Sequence, residues 1–261
     1  DPYEGQQLGE IWGYVVDGYF KTDEEARNYK VDQSFVNQMI NASALDNGLH
    51  AGDLKFVDLD GNNKIEQTTS ANDRKDMKVI GNSLPRYNYN FGISADWYGI
   101  DFSVLFQGIG KQNWYPGAET SMFWGPYSRP YASFIPSDFM SQVWSEENTD
   151  AYFPRPRGYV ALGSNRELAV VNTKYLQNLA YCRLKNLSIG YTLPDKWLSK
   201  IGFEKIRVYF SGENLLTFTK LHSDYIDPEQ ASASNSWKTS KSDANIYPWA
   251  KTYSFGVDIT F

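Results

Sequence analysis

The sequence predicts an all-β chain: a transmembrane antiparallel β-barrel segment with long loops that contain short helices. Three observations carry this expectation. A two-residue alternation recurs in at least five segments. The connections between those segments are short on one side and long on the other. Aromatic residues reach 16% of the chain, with 19 Tyr, 15 Phe and 8 Trp.

The alternation is clearest near Phe261. Tyr253, Phe255, Val257, Ile259 and Phe261 are apolar, and Thr252, Ser254, Gly256, Asp258 and Thr260 lie between them. Successive side chains of a strand point to opposite faces, so one face is wholly apolar. Upstream, Tyr87, Tyr89, Phe91, Ile93, Ala95 and Trp97 oppose Asn88, Asn90, Gly92, Ser94 and Asp96. Phe102, Val104 and Phe106 oppose Asp101, Ser103 and Gln107. Leu187, Ile189, Tyr191 and Leu193 oppose Asn186, Ser188, Gly190 and Thr192. Ile206, Val208 and Phe210 oppose Lys205, Arg207, Tyr209 and Ser211. The segments run on the order of 10 residues, the length a tilted strand needs to cross a bilayer. Strands are expected at about 86–97, 101–112, 175–193, 204–218 and 247–261.

Loop lengths separate a barrel from a sandwich. Trp97-Tyr98-Gly99-Ile100 reads as a tight turn, and Pro194–Gly202 as a short helical turn with Asp195 near its start. The loops at 113–172 and 219–246 are long. That asymmetry is the pattern of outer-membrane barrels. Trp97, Tyr98, Tyr191 and Trp197 fall near the short-turn ends, where an interfacial aromatic girdle sits. The alternative is a secreted soluble β-sandwich, a carbohydrate-binding module whose strand faces pack on one another.

Residues 1–82 read as a separate, extracellular region. Ile11–Phe20 and Gly52–Leu59 look like strands, Thr22-Asp23-Glu24-Glu25 like a helix start, and Ser34–Ile40 like a short helix. Residues 83–261 carry the barrel strands, with a further capped helix expected at Pro136–Trp144.

Composition excludes several functions. The net charge of −6 and pI near 5.0 leave no basic footprint for nucleic acid. One cysteine, Cys182, rules out an internal disulfide framework. No apolar run is long enough for a transmembrane helix, and a mean hydropathy of −0.52 fits strands that face lipid with every second residue. His50 and His222 stand far from any nucleophile motif, so no catalytic residue is assigned and an enzyme is not expected.

Two stretches carry candidate sites. Asp58-Leu59-Asp60-Gly61-Asn62-Asn63-Lys64-Ile65-Glu66 offers oxygen ligands at alternate positions, as calcium loops do. Asp58, Asp60, Asn62, the Lys64 carbonyl and Glu66, completed by Asp73 or Asp76, could surround Ca2+. Asn63 stands where such a loop has Gly, and Thr69 where it has Glu. The other reading is a polar turn held by Asx hydrogen bonds. In the long loop, Trp114, Tyr115, Phe123, Trp124, Tyr127, Tyr131 and Trp144 cluster. They either stack on a sugar or contact a lid protein, or they form a small core that keeps the loop ordered.

Seven ordered stretches resemble one family: Gly9–Phe20, Gly52–Glu66, Val79–Trp97, Gly99–Gly110, Tyr181–Pro194, Val208–Thr217 and Tyr247–Phe261. The chain resembles the C-terminal portion of SusC/RagA-type TonB-dependent outer-membrane transporters. The resemblance implies part of a 22-stranded barrel, roughly the size class whose lumen is plugged. It also implies residence in the bacterial outer membrane and contact with outer-membrane lipid. The implied partners are a SusD-like lipoprotein lid and TonB, the latter engaged through an N-terminal part. The implied cargo is a nutrient, oligosaccharide or peptide, and Phe261 corresponds to the terminal aromatic that barrel assembly recognises. Five or six strands cannot close such a barrel, and an open edge in lipid leaves backbone groups unpaired. The remainder of the same transporter, plug and upstream strands, is therefore an expected partner.

Overall fold

The computed structural model describes residues 3–36, 48–68, 70, 72–128, 135–156, 158–163, 166–200, 202–234, 241–242 and 247–261. The alternating segments form β5 (Arg86–Trp97), β6 (Ile100–Lys111), β9 (Tyr181–Thr192), β10 (Lys205–Thr219) and β12 (Thr252–Thr260). They make one antiparallel sheet in the order β12-β10-β9-β6-β5. Tyr98 and Gly99 join β5 to β6 with φ of 47° and 82°. Two positive φ values match the primed hairpin turn, whose twist suits the flanking strands. A Cβ on Gly99 would lie 2.8 Å from the Thr192 carbonyl oxygen, so the turn also needs glycine for space.

The connection from β9 to β10 is short and holds α3 (Asp195–Leu198). At the other end of the sheet the chain leaves for a separate body. That body contains β1 (Glu10–Tyr14) paired with β4 (Met77–Asn82), and β2 (Val16–Tyr19) paired with β3 (Leu54–Phe56). It also holds β7 (Asn113–Pro116) between β8 (Gln177–Asn178) and β11 (Lys241–Ser242). Its helices are α1 (Asp23–Asn28), α2 (Ser121–Trp124) and α4 (Pro228–Ser234). Thr22 caps α1 by accepting from the Glu25 amide at 3.1 Å, and Glu25 returns a bond to the Lys21 amide at 2.8 Å. This varies the capping box of Thr-x-x-Glu: Glu25 takes the amide of the residue before the cap rather than that of Thr22 itself.

Several sequence expectations are corrected. The strand expected from 175 begins at Tyr181, because the Asn178 side chain accepts from the Ala180 amide and closes β8 with an Asx turn. The last strand begins at Thr252 rather than Tyr247: its ladder with β10 ends at the Glu213–Thr252 pair, and the Trp249 amide goes to the Asp227 carboxylate instead. Ile11–Phe20 is two strands with different partners. Pro136–Trp144 holds only a 3-10 turn, Phe139–Gln142. There the backbone turns away to pair, with the Trp144 amide on the Phe153 carbonyl at 3.0 Å. Ser34–Val36 form a turn, and the rest of that expected helix lies outside the described residues.

The two bodies use apolar residues in opposite ways. The outer body encloses a core of Ile11, Leu54, Phe56, Trp114, Tyr115, Trp124, Phe153 and Tyr175, all nearly sealed from solvent. The sheet leaves its apolar face bare: Phe255 is 82% exposed and Trp97 70%. A β-sandwich requires a second layer over that face, and among the described residues nothing covers it. An uncovered apolar face of this extent marks contact with another apolar phase.

Candidate functional site

Strand register sorts the sheet's two faces. On one face, Ala95, Phe102, Ile189, Phe210 and Phe255 form a row across all five strands. The adjoining row is Trp97, Ile100, Tyr191, Val208 and Val257. On the opposite face Ser94, Ser103, Ser188, Ser211 and Ser254 fall into register across the same strands. One face is thus suited to lipid and the other to water.

Charged clusters flank the serine row. Toward the short turns, Arg207 donates to both oxygens of Asp101, at 2.8 and 2.6 Å, and to Asp258 at 3.2 Å. Its guanidinium crosses above Gly190 to reach Asp101. A Cβ on Gly190 would sit 2.4 Å from Asp101 Oδ1 and 2.5 Å from Arg207 Nε. Glycine there is what lets a β10 side chain reach a β6 carboxylate over the intervening strand.

Toward the outer body, β9 and β10 bulge around Lys185 and Asn214, where Asn214 has φ 54°. Beyond the bulge Arg183 keeps to the polar face, in register with Gln107 and Thr217. Its Nη2 donates to Asp227 at 2.7 Å and its Nη1 to Glu229 at 2.8 Å. Arg183 and Asp227 side chains are only 3% and 5% exposed. Lys185 adds a 3.0 Å bond to Glu229, and Asp227 caps α4 through the Glu229 amide at 2.9 Å. These bonds hold α4 across the polar face. Sequence reading missed this network. Its only trace was charge at polar-face positions, and nothing in the chain order points from 183 to 227.

The aspartate-rich loop brings three carboxylates together. Oxygens of Asp58, Asp60 and Asp76 lie within 4.8 Å of one another. The loop is also bonded as the Asx reading expects. Asp58 accepts from the Gly61 and Asn63 amides, both at 2.7 Å, and Asn62 accepts from the Lys64 amide at 2.8 Å. Asn63, standing in the glycine position, adopts φ 64°. Asp76 rather than Asp73 closes the cluster. It is fully buried and accepts from the Leu59 and Glu66 amides. Burial, opposed by those two amides and reinforced by Asp60 and Asp58, lifts its carboxyl above the ordinary carboxylate range. Asp73 and Glu66 instead pair with Lys75, at 3.7 and 3.5 Å, and Lys64 pairs with Glu66.

The loop aromatics are core, not surface. Trp114, Tyr115 and Trp124 are fully buried, and Phe123 and Tyr127 nearly so. Phe123 packs edge-on to Trp124 at 4.8 Å, and Tyr127 stacks on Phe153 at 5.8 Å. None of the five offers a face to a sugar or a lid protein. A long loop has to enclose its own apolar centre to stay ordered, and that requirement takes these rings. Tyr131 lies outside the described residues. Phe261 is 82% exposed at the short-turn end, beside Phe203 at 5.2 Å.

A sheet with one apolar and one hydrophilic face, tight turns at one end and a packed loop body at the other, has the arrangement of a membrane β-barrel segment. The similarities agree. No family model matches the chain. It is 28% identical over 99% of its length to TonB-dependent receptor P3 of Formosa agariphila. It is 26% identical over 99% of its length to TonB-dependent receptor P39 of the same organism. The chain spans 22% and 25% of those relatives. Among solved structures, the RagAB peptide transporter matches over 99% of this chain and 24% of its own, with 18% identity and a TM-score of 0.58. The RagAB peptide importer in an open-open state matches over 97% of this chain and 22% of its own, with 20% identity and a TM-score of 0.53. Over essentially the whole chain the sequence thus resembles TonB-dependent receptors, and the fold resembles the RagAB transporter.

Proposed function

We propose that this chain is the C-terminal barrel part of a TonB-dependent nutrient importer in the bacterial outer membrane. It works with a plug and upstream strands from the rest of the transporter, and with a SusD-like lipoprotein lid. Oligosaccharides or peptides are its cargo, and TonB engages through the N-terminal part. The observation that carries this reading is the two-faced sheet. Its apolar rows face lipid and its serine row faces the lumen, and neither sheet edge, β5 or β12, has a further strand among the described residues, as a segment of a larger barrel requires. The outer body, including residues 1–82, stands outside the membrane. Asp58, Asp60 and Asp76 hold Ca2+ there, where three carboxylates otherwise repel one another.

The test is paired cysteine labelling on β12 in the intact transporter within outer membranes. A water-soluble maleimide should modify Ser254→Cys and leave Phe255→Cys untouched, whereas a lipid-soluble maleimide should do the reverse. Equal labelling of the two positions by the water-soluble reagent would refute a lipid-facing sheet.

A further inference from the structure

We infer that the turn between β9 and β10 is a binding site for the phosphate of a membrane phospholipid, held by Lys196 and Lys200 beside Trp197. The inference rests on the proposal that the sheet's apolar rows face lipid. The row Trp97, Ile100, Tyr191, Val208 and Val257 lies beside the tight turn at Tyr98 and Gly99. Just beyond it the Leu193 amide donates to the Ile206 carbonyl at 2.9 Å, and the chain enters α3. Trp97 and Tyr98, at this same end, are 70% and 87% exposed. Exposed Trp and Tyr rings at the end of apolar rows mark the boundary between hydrocarbon and headgroups.

Helical geometry arranges the turn. Ser199, with φ −58° and ψ −23°, continues the path of α3. At about 100° per residue, Lys196, Lys200 and Trp197 fall within about 100° of arc, and Leu198 points to the opposite side. The accessibilities agree: Leu198 is 1% exposed, Trp197 is 57% exposed, and both lysines are exposed. Leu198 therefore anchors the turn, which presents outward an indole beside two ammonium groups. Residues 194–203 set these two lysines against the single Asp195, which lies beyond Lys196 on the side away from Trp197. The next charged residues, Glu204 and Lys205, cancel. Among the described residues neither Lys196 nor Lys200 is ion-paired. The occupant follows from the depth. A lysine stem lies along apolar surface and lifts its ammonium to the first polar layer. In a bilayer that layer holds the phosphate diester, whose oxygens also accept from an indole N–H. Phosphatidylglycerol fits best, because it carries no cation of its own to compete with the lysines, whereas phosphatidylcholine does.

The experiment follows the lysines one by one. The intact transporter is placed in nanodiscs of phosphatidylcholine, with or without phosphatidylglycerol. It is treated with the uncharged N-hydroxysuccinimide ester of acetic acid and digested for mass spectrometry. A paired ammonium is less often the free amine that reacts. Lys196 and Lys200 should therefore be acetylated about 5-fold more slowly with phosphatidylglycerol present, the change expected of a lysine at an anionic headgroup. Lys205, at the same end but on the polar face, should keep its rate. Equal slowing of Lys205 would mean bulk surface charge only. Equal slowing by inorganic phosphate in phosphatidylcholine nanodiscs would mean a free-phosphate site. Either result, or no slowing at all, overturns the assignment. Ser254→Cys and Phe255→Cys in the same nanodiscs keep the two proposals apart. If a water-soluble maleimide modifies Phe255→Cys, the lipid-facing sheet itself is wrong; if it does not, the lysine rates judge the turn alone.

Discussion

Replacing Arg183 with methionine should free α4 from the strand wall. Arg183 is buried on β9, and its guanidinium meets Asp227 at 2.7 Å and Glu229 at 2.8 Å. Removing one partner of a buried pair generally costs about 3–5 kcal/mol, because the other charge stays behind desolvated. Here the cost should fall at the low end, near 3 kcal/mol. Asp227 keeps the Glu229 amide at 2.9 Å and the Trp249 amide at 3.3 Å, while Glu229 keeps Lys185. Methionine also retains most of the arginine stem's packing. Local opening of α4 should therefore become about 100-fold more populated. Hydrogen exchange on the intact transporter reads this directly at the Ala231 amide, which donates to the Asp227 carbonyl at 2.9 Å. Its protection should drop by about that factor, while β9 and β10 amides keep theirs. Adding Asp227→Asn to Arg183→Met should restore much of the loss, since no buried charge then lacks a partner. A drop of less than about 3-fold in the single variant would refute the view that this ion pair holds the segment.

Phe153→Ala should loosen the outer body by about 3–5 kcal/mol, the usual cost of emptying a buried phenylalanine site. Its ring packs against Phe139 at 5.0 Å and against Phe123 and Tyr127 at 5.8 Å. Trypsin should then cut the 113–172 region faster, with the strands still resistant; unchanged cleavage would remove the aromatic cluster as the loop's anchor. Calcium should raise the thermal midpoint of the outer body and EDTA should lower it. Asp58→Asn with Asp60→Asn should abolish both responses, and a midpoint indifferent to either reagent would end the metal proposal. Asp76 gives the calcium response a pH dependence. Its raised carboxyl stabilises the fold only while protonated, so its contribution is lost as pH rises through the folded value, and the calcium effect should grow above that point. His222 works in the opposite sense. Burial holds its imidazole below the ordinary value against the pull of Asp224 and Asp138, with Lys174 adding to the depression. The ring lies flat on Tyr152 at 3.4 Å and is bonded to Gln142 at 2.8 Å. Its contribution is complete above about pH 6.5 and is lost as pH falls through the lower folded value. Exchange protection near residue 222 should fall in acid, and His222→Phe should flatten that dependence; an unchanged profile in the variant would assign it elsewhere.

The sheet was legible because lipid and water impose a local code. Each strand residue meets one solvent or the other, so the pattern at 253–261 or 87–97 states its own orientation without a partner. The Tyr98-Gly99 turn was legible for a similar reason, since a two-residue link between alternating runs leaves few backbone solutions. The outer body was far less readable. Its strands are short and its core is drawn from distant segments, so composition alone placed aromatic rings without saying which way they faced. Trp114, Phe123 and Trp124 look the same in sequence whether they bind a sugar or fill a core. The aspartate loop was legible as a turn, but its third carboxylate was not, because Asp76 and Asp73 are the same residue type close together in the chain and only the fold buries one of them.

The amino-acid order by itself determined that this protein presents one apolar and one hydrophilic strand face, with tight turns at one end and long loops at the other. Those properties follow from the two-residue strand period and from local turn chemistry. The tertiary structure alone decided that five serines align into one row, that Arg207 reaches Asp101 over Gly190, and that Arg183 holds α4 across the polar face. Such contacts depend on register between strands and on charges separated by tens of residues, and the free energy of pairing a buried charge is fixed only once its partner's position is fixed.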